Sequence, residues 1–312
     1  MEDRRGGECA GYEYVLYARS QGIYGLPDTG LIVVKTGNDT EVTTQRLPTL
    51  FIPHGGGPCF FMEPLPGFPP GLWDNLAAYL RGIPAAIGQR PRAVLVISGH
   101  WECAVPTVLM AEQHTLLFDY YGFPDHTYRL TYPAHGSISV SARVRELLGQ
   151  AGIYADAEHQ RGLDHGVFVP FKLIYPDADV PIVQLSLKHN LDAAEHMAIG
   201  HALRPLRDEG VLVVGSGNSY HNLREFFSTK ATASEASEQF DAWLGAAIRA
   251  SSAERERLLS GWTKAPGALD CHPRSEHLIP LMVAAGAAGK DAGKITYHEQ
   301  MFGKTFSGVQ FG

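Results

Sequence analysis

Three apolar runs in this chain each lead to a histidine. They cover residues 49–54, 93–100 and 211–221, and they end at His54, His100 and His221. Short continuous runs of aliphatic and β-branched residues are typical of strands that are buried on both faces, as in parallel α/β sheets. Such sheets bind ligands in a crevice beyond the carboxyl ends of their strands. Three imidazoles at one sheet edge therefore indicate a metal site.

Strand-like and helix-like patterns alternate along residues 47–312. The alternation predicts one α/β domain, with a central, mainly parallel sheet flanked by helices and a metal site at the carboxyl ends of its strands. We predict that residues 1–46 form a partly ordered N-terminal extension, with strand-like patterns at Tyr12–Tyr17 and Leu31–Val34. The predicted helices are Leu72–Arg81, Ser137–Ala151, Ala193–Arg207, Ala233–Ala250 and Glu276–Ala288, and the predicted strands are Ala93–Ser98, Pro181–Ser186, Val211–Ser216, Ile295–His298 and Thr305–Gln310.

Charge and composition argue against several kinds of partner. The net charge is −7 without a Lys/Arg cluster, so neither nucleic acid nor an anionic membrane is an expected partner. No apolar run reaches the roughly 20 residues that span a bilayer. The N-terminus has no secretory apolar core, and the four cysteines show no CxxC spacing. These features predict a cytoplasmic protein with free thiols.

The residues beside His54 and His100 favour a ligand role for both. Three glycines follow His54 and allow the backbone to turn tightly against a bound group. The same loop could cradle phosphate, but it lacks the GxGxxG and GxxxxGK[ST] spacings. His100 is followed by Trp101, which we expect to wall the pocket, and by Glu102, which could orient an imidazole.

Besides His54 and His100, three histidines could contribute to this site, namely the strand-end His221 and two others, His165 and His277. His165 falls in a predicted turn and could act as an acid, a base or a donor to substrate, or it could be a surface residue of a helix cap. His221 could be a ligand or the acid/base. His277 begins a predicted helix and could complete a three-ligand face. Glu276 precedes it by about 100° of helical rotation, so the two are not expected to bind one ion together.

Short motifs occur in a fixed order through the same part of the chain. They are Pro53-His-Gly-Gly-Gly-Pro58, Ser98-Gly-His-Trp101, Tyr121-Gly-Phe-Pro124, Leu163-Asp-His-Gly166, Gly215-Ser-Gly-Asn218, His221-Asn-Leu223 and Glu276-His-Leu-Ile-Pro280. Together they resemble the class III extradiol ring-cleavage dioxygenases, in the DOPA-dioxygenase branch. The resemblance runs from about Leu47 to the C-terminus.

The resemblance implies a division of roles among the histidines. His54, His100 and His277 match metal ligands, and His221 matches a residue that is either a fourth ligand or the acid/base. His165 matches the other active-site histidine. The implied reaction opens a catechol with O₂ to a muconic semialdehyde; Fe(II) is expected for activity, and Zn(II) could occupy the site.

The residues expected near the substrate are Trp101, Tyr120 and His126. The family's His-Asp-Phe motif is here Phe118-Asp-Tyr120, which predicts a different substrate preference if that histidine normally helps to hold substrate. Two other functions stay open at this point. One is a zinc hydrolase, although no HExxH motif is present, and the other is a non-catalytic interaction protein like Memo.

Overall fold

The computed structural model describes residues 46–64 and 68–312. An eight-stranded sheet with the order β4-β3-β5-β2-β6-β1-β8-β7 runs through this part of the chain. Its strands are β1 Thr49–Pro53, β2 Ala93–Cys103, β3 Thr107–Leu109, β4 Asp156–Glu158, β5 Ile182–Lys188, β6 Val211–Gly217, β7 Gly293–Met301 and β8 Lys304–Phe311. The helices are α1 Asp74–Ile87, α2 Ile138–Gln150, α3 His165–Ile174, α4 Ala193–Leu203, α5 Ala231–Arg249, α6 Ser252–Ser260, α7 Ala268–Cys271 and α8 Ile279–Ala288.

The centre of the sheet is parallel. Strands β5, β2, β6 and β1 pair in parallel, while β8 runs antiparallel to β1 and β7 antiparallel to β8. Strands β1 and β6 are buried along their whole length. This confirms the predicted α/β fold with a mainly parallel sheet between helices. The predicted extension and its two strand-like segments lie outside the described residues, apart from Arg46, so that boundary stays a prediction.

Helix α8 is buried on every side, and glycines let it approach its neighbours. A Cβ at Gly286 would overlap the backbone of Met197 in α4, and one at Gly215 would overlap the carbonyl of Pro280. All ten residues of α8 are buried. A helix that is apolar on all sides belongs in the interior. Helix α8 lies against β6, and this contact determines the position of the turn that precedes α8.

That turn corrects one prediction. The predicted helix Glu276–Ala288 begins only at Ile279, because Pro280 occupies the first turn of α8, where its missing N–H costs nothing. His277 therefore lies in a turn and not on a helix, and the expectation that a helix supplies it is wrong.

Helix α3 was not predicted. Its residues are mostly apolar or β-branched and include Pro170, a pattern that does not favour a helix. Burial overrides that local preference. The elements β3, β4, α6 and α7 were also missed. The predicted N-cap of α2 is confirmed, because the Ser137 hydroxyl accepts the backbone N–H of Val140.

Arg207 joins the start of β1 to the end of α8. Its side chain is 1% exposed and donates to the carbonyl oxygens of Leu47 at 2.7 Å and of Ala287 and Ala288 at 3.1 Å. It also donates to the carboxylate of Asp291 at 2.5 Å. The Arg207 side chain thus joins β1, which precedes His54, to α8, which follows His277.

Replacing Arg207 with alanine is expected to lower the free energy of unfolding by about 3 kcal/mol, since buried acceptors lose their donor and Asp291 loses its charge partner. Urea denaturation measures the change. Arg129→Ala, at an exposed arginine, is the control and should stay within about 0.5 kcal/mol of the parent. Equal free energies of unfolding for the two variants would contradict a stabilising role for Arg207.

Within the described residues, no helix is long and apolar enough to cross a membrane. Cys59, Cys103 and Cys271 are free thiols. The cytoplasmic location stays a prediction.

Candidate metal centre and active site

Three neighbouring strands bring histidines to one edge of the sheet. Strands β2, β6 and β1 are adjacent and parallel, so their carboxyl ends lie together. His54 follows β1 directly. His100 lies within β2, in an irregular stretch where the pairing with β5 shifts register between Ile97 and Glu102. The strand therefore continues past His100, although its pairing with β6 ends at Ser98.

Three imidazole nitrogens meet at this edge. The Nε2 atom of His100 lies 3.2 Å from Nε2 of His54 and 3.2 Å from Nε2 of His277. Ring centroids of His54 and His277 are 5.1 Å apart. His54 and His277 are almost fully buried. The turn before α8 thus brings His277 to the two histidines of the sheet.

The opposite ring nitrogen of His54 is held by a serine. The hydroxyl of Ser216 donates to the carbonyl of Gly166, so its oxygen accepts the Nδ1–H of His54 at 3.1 Å. The Gly166 carbonyl is available because the residue four positions on, Pro170, has no N–H to donate. Pro170 thus leaves the Gly166 carbonyl free to accept from Ser216, and Ser216 in turn accepts from Nδ1 of His54. With its proton on Nδ1, His54 has a lone pair on Nε2.

Carboxylates orient the other two rings. Nδ1 of His277 donates to Glu276 at 3.0 Å, and Nδ1 of His100 lies 3.4 Å from Asp119. Glu276 therefore lies behind His277 and contacts its outer nitrogen. Carboxylates placed in this way fix the tautomer of a metal-binding histidine. Glu102 does not serve this purpose, because its carboxylate pairs with Arg274 at 2.6 Å.

Burial keeps these rings neutral. It lowers the pKa of His54 and of His277 well below the usual value, and neighbouring histidines lower both further. The pKa of His100 falls to about 4, mainly through burial and then through His165. A neutral imidazole that keeps its proton on Nδ1 has a lone pair on Nε2, so at neutral pH this tautomer places three lone pairs at the edge of the sheet.

This donor set fits a metal ion. Lone pairs 3.2 Å apart repel unless a cation lies between them, and two nitrogens bound at about 2.0–2.1 Å to one ion lie at about this spacing. A second grouping, of His54, His100 and His165, also brings ligand atoms within 4.8 Å of one another. The two 3.2 Å contacts of His100 favour the set with His277.

His165 begins α3 beside this group and is tied to Asp119. Asp119 accepts the backbone N–H of His165 at 3.0 Å and its Nδ1–H at 2.8 Å. Burial raises the pKa of Asp119, but the hydrogen bond and charge of His165 outweigh it and bring the pKa to about 2. An ionised Asp119 leaves Nε2 of His165 as the basic nitrogen. The alternative of a surface histidine is wrong, because His165 is buried.

His221 lies on the other side of His277. The two rings stack with centroids 3.4 Å apart, and Nδ1 of His221 lies 3.0 Å from Glu276. His221, Glu276 and His277 form a further group of closely spaced ligand atoms. Glu276 thus contacts both imidazoles. Burial is the largest single effect on its pKa and raises it, but the hydrogen bond and charge of His221, a backbone hydrogen bond and the charge of Arg274 together leave the pKa below its usual value.

A cavity of about 710 Å³ opens over the histidines. Tyr120 lines it and donates its hydroxyl to the carbonyl of Thr127 at 2.8 Å. Trp101 does not line it, because successive side chains of a strand point to opposite faces; its ring lies 4.8 Å from the guanidinium of Arg161. His126 is also outside the lining, since it is exposed and its Nε2 bonds the carbonyl of Phe61 at 3.0 Å. We therefore no longer expect Trp101 or His126 to contact substrate.

Several residues of the site were not found from the sequence. Ser216 lies inside an apolar strand, and Asp119 lies in Phe118-Asp-Tyr120, the motif that differs from the family's His-Asp-Phe. Neither pattern shows which histidine the residue would contact. Asp164 is fully buried and accepts from Ser98 at 2.7 Å and from Gln184 at 2.5 Å. The sequence signal that could have identified Asp164 is that this acidic residue directly precedes His165.

A glycine in β6 makes room for the His277 turn. A Cβ at Gly217 would overlap the carbonyl oxygen of His277. Gly217→Ala is therefore expected to displace that turn and to weaken metal binding about 10–100-fold, the range seen when support of a ligand is lost. Gly149→Ala in α2 is the control, since nothing lies within 4 Å of its added Cβ. Metal titration of both variants measures the effect, and equal affinities would contradict it.

Comparisons with known proteins agree with this geometry. A family model described as the catalytic LigB subunit of aromatic ring-opening dioxygenase matches residues 48–310. Dioxygenase tasH of Hapsidospora irregularis is 36% identical over 82% of this chain and 82% of its own length. The 4,5-DOPA dioxygenase extradiol of Beta vulgaris is 38% identical over 70% of this chain and 81% of its own length, and the Escherichia coli K12 protein of that name is 32% identical over 80% and 88%.

A solved structure shares the fold. The crystal structure of an uncharacterized Escherichia coli K12 protein aligns with a TM-score of 0.67 and 29% identity, covering 86% of this chain and all of that one. These matches favour ring opening over the zinc hydrolase and the Memo-like interaction protein. The chain belongs to the LigB family and is an extradiol ring-cleaving dioxygenase of the branch that contains the DOPA dioxygenases.

Proposed function

We propose that this enzyme opens a catechol with O₂ and uses Fe(II) held by His54, His100 and His277. The observation that supports this most directly is the pair of 3.2 Å contacts that join the three Nε2 atoms. When bound, Fe(II) supplies the redox change that links catechol and O₂, which zinc with its filled d shell cannot supply. In the overall reaction, both atoms of O₂ enter the product and a ring carbon–carbon bond beside the diol breaks.

His165 is proposed as the base that takes a proton from the catechol. Its Nδ1–H is committed to Asp119, so Nε2 has a lone pair. His165 lines the cavity and its ring centroid lies 3.9 Å from that of His100. Imidazole is the commonest side chain for such a proton transfer.

His221 is proposed as the second proton-transfer group rather than as a fourth ligand. It lines the cavity, but its Nδ1 is engaged with Glu276 and its ring stacks on His277. In this role it would return a proton to an oxygen derived from O₂ as the ring opens. Tyr120 is proposed to contact the substrate through its ring, since its hydroxyl is already bonded.

DOPA belongs among the substrates to be tested, because relatives from Beta vulgaris and Escherichia coli carry the name 4,5-DOPA dioxygenase extradiol. Those relatives do not determine the substituent on this enzyme's catechol, since specificity depends on the cavity of each chain.

The test is anaerobic loading of the full chain with Fe(II), followed by oxygen uptake over a panel of catechols. We expect oxygen consumption with at least one catechol and a yellow semialdehyde product. A zinc-loaded sample is the control and should consume none. Full activity with zinc, or none with iron and any catechol, would contradict the proposal.

A further inference from the structure

The cavity extends far beyond the histidines. Its volume is about 710 Å³, within the roughly 300–1,000 Å³ that encloses drug-sized ligands. A catechol alone, one ring with two hydroxyls, would occupy only the end beside the metal centre. The remaining space is continuous with that end, so a substituent on the ring would enter it.

Aromatic side chains wall this remaining space. We call it the aromatic chamber, and the rings that line it are Phe60, Phe68, Trp73, Phe226, Phe227 and Phe306. They form two groups of edge-to-face contacts: Phe60 with Trp73 in one, and Phe68, Phe227, Phe226 and Phe306 in succession in the other. Ring centroids of Phe68 and Phe227 are 5.4 Å apart, and those of Phe60 and Trp73 are 6.3 Å apart.

Two apolar side chains of the cavity wall are open to solvent. Leu223 is 71% exposed and Phe227 is 57% exposed, and both line the cavity. Apolar groups grouped at the wall of a cavity indicate a binding surface more strongly than scattered ones do. A bound apolar substituent would cover them.

The charged residues of the lining do not favour an amino acid side chain on the substrate. They are Glu63, Asp74 and Arg81, and all three are exposed. Exposed charge pairs contribute little to binding, whereas moving an ammonium and a carboxylate among aromatic rings loses their hydration.

We propose that the preferred substrate is a catechol with a bulky apolar substituent, alkyl or aryl, that occupies the aromatic chamber. The proposal rests on the proposed function, since the catechol must first bind beside the three histidines. Each methylene buried in the chamber should raise kcat/KM about fourfold until the chamber is full.

The test compares four substrates with the Fe(II)-loaded full chain: catechol, 4-hexylcatechol, 3,4-dihydroxybiphenyl and DOPA. We expect kcat/KM for hexylcatechol or dihydroxybiphenyl to exceed that for DOPA by at least about tenfold. Turnover with DOPA equal or preferred would overturn this inference while the proposed function stands. If no catechol consumes oxygen, the proposed function fails and this inference falls with it.

Variants locate the preference in the chamber. Phe226→Ala should reduce the ratio of kcat/KM for hexylcatechol over catechol about fivefold or more, because it removes apolar wall. Tyr154→Ala changes an exposed aromatic residue outside the cavity lining, and its ratio should equal that of the parent. An unchanged ratio in Phe226→Ala would overturn the placement of the substituent.

Discussion

Replacing His100 with alanine is expected to abolish iron binding and to reduce ring opening by on the order of a thousandfold or more, since a catalytic metal contributes several kcal/mol to the reaction. His100 is the strongest choice because its Nε2 lies 3.2 Å from the Nε2 atoms of both His54 and His277. Loss of this ring leaves the other two without their common neighbour.

The measurement is iron content after anaerobic loading and gel filtration, together with oxygen uptake. His135→Ala is the matched control, because His135 is exposed and outside the cavity lining; it should retain iron and activity. Circular dichroism and thermal unfolding separate a lost site from a lost fold. His100→Ala protein that is folded and still binds iron as tightly as the parent would contradict the ligand set.

Much of the fold follows from local patterns that burial reinforces. The runs before His54 and His100 and the run at Val211–Ser216 form adjacent parallel strands as predicted, because their continuous apolar character fits a sheet covered on both faces. Local sequence pattern does not predict secondary structure where tertiary contacts determine it. Helix α3 carries Pro170 and β-branched residues, yet it forms because nearly all of its residues are buried.

The site divides in the same way. His54 and His100 were predicted from residue type and position, since each comes at the end of an apolar run that the sequence itself shows to be a strand. His277 was found, but its setting was not, because Pro280 moves the helix start beyond it. Partners far along the chain, such as Ser216 for His54, depend on strand order and cannot be deduced from local spacing.

The charge of the proposed ligand set also bears on the metal. Three neutral imidazoles carry one negative charge fewer than a set of two histidines and one carboxylate. Glu276 contributes its charge indirectly, through the Nδ1–H of His277. We expect such a site to accept zinc as well as Fe(II), which is why the zinc-loaded sample is an essential control.

Replacing His165 with asparagine is expected to lower kcat by about a hundredfold to ten-thousandfold, the contribution of a general acid or base, while iron stays bound. Nδ1 of His165 is engaged with Asp119 at 2.8 Å, which leaves Nε2 as the group that can take a proton. Asparagine can keep the contact with Asp119 but has no basic nitrogen.

The iron content decides between the two possible groupings of histidines. If His54, His100 and His165 were the ligands, as their spacing within 4.8 Å permits, His165→Asn would lose iron together with activity. If His54, His100 and His277 are the ligands, iron is retained and only turnover falls. His126→Asn, at an exposed histidine bonded to the Phe61 carbonyl, should change neither quantity. Undiminished turnover in His165→Asn would remove His165 from the proposed proton transfer, and the base would then have to be sought at His221.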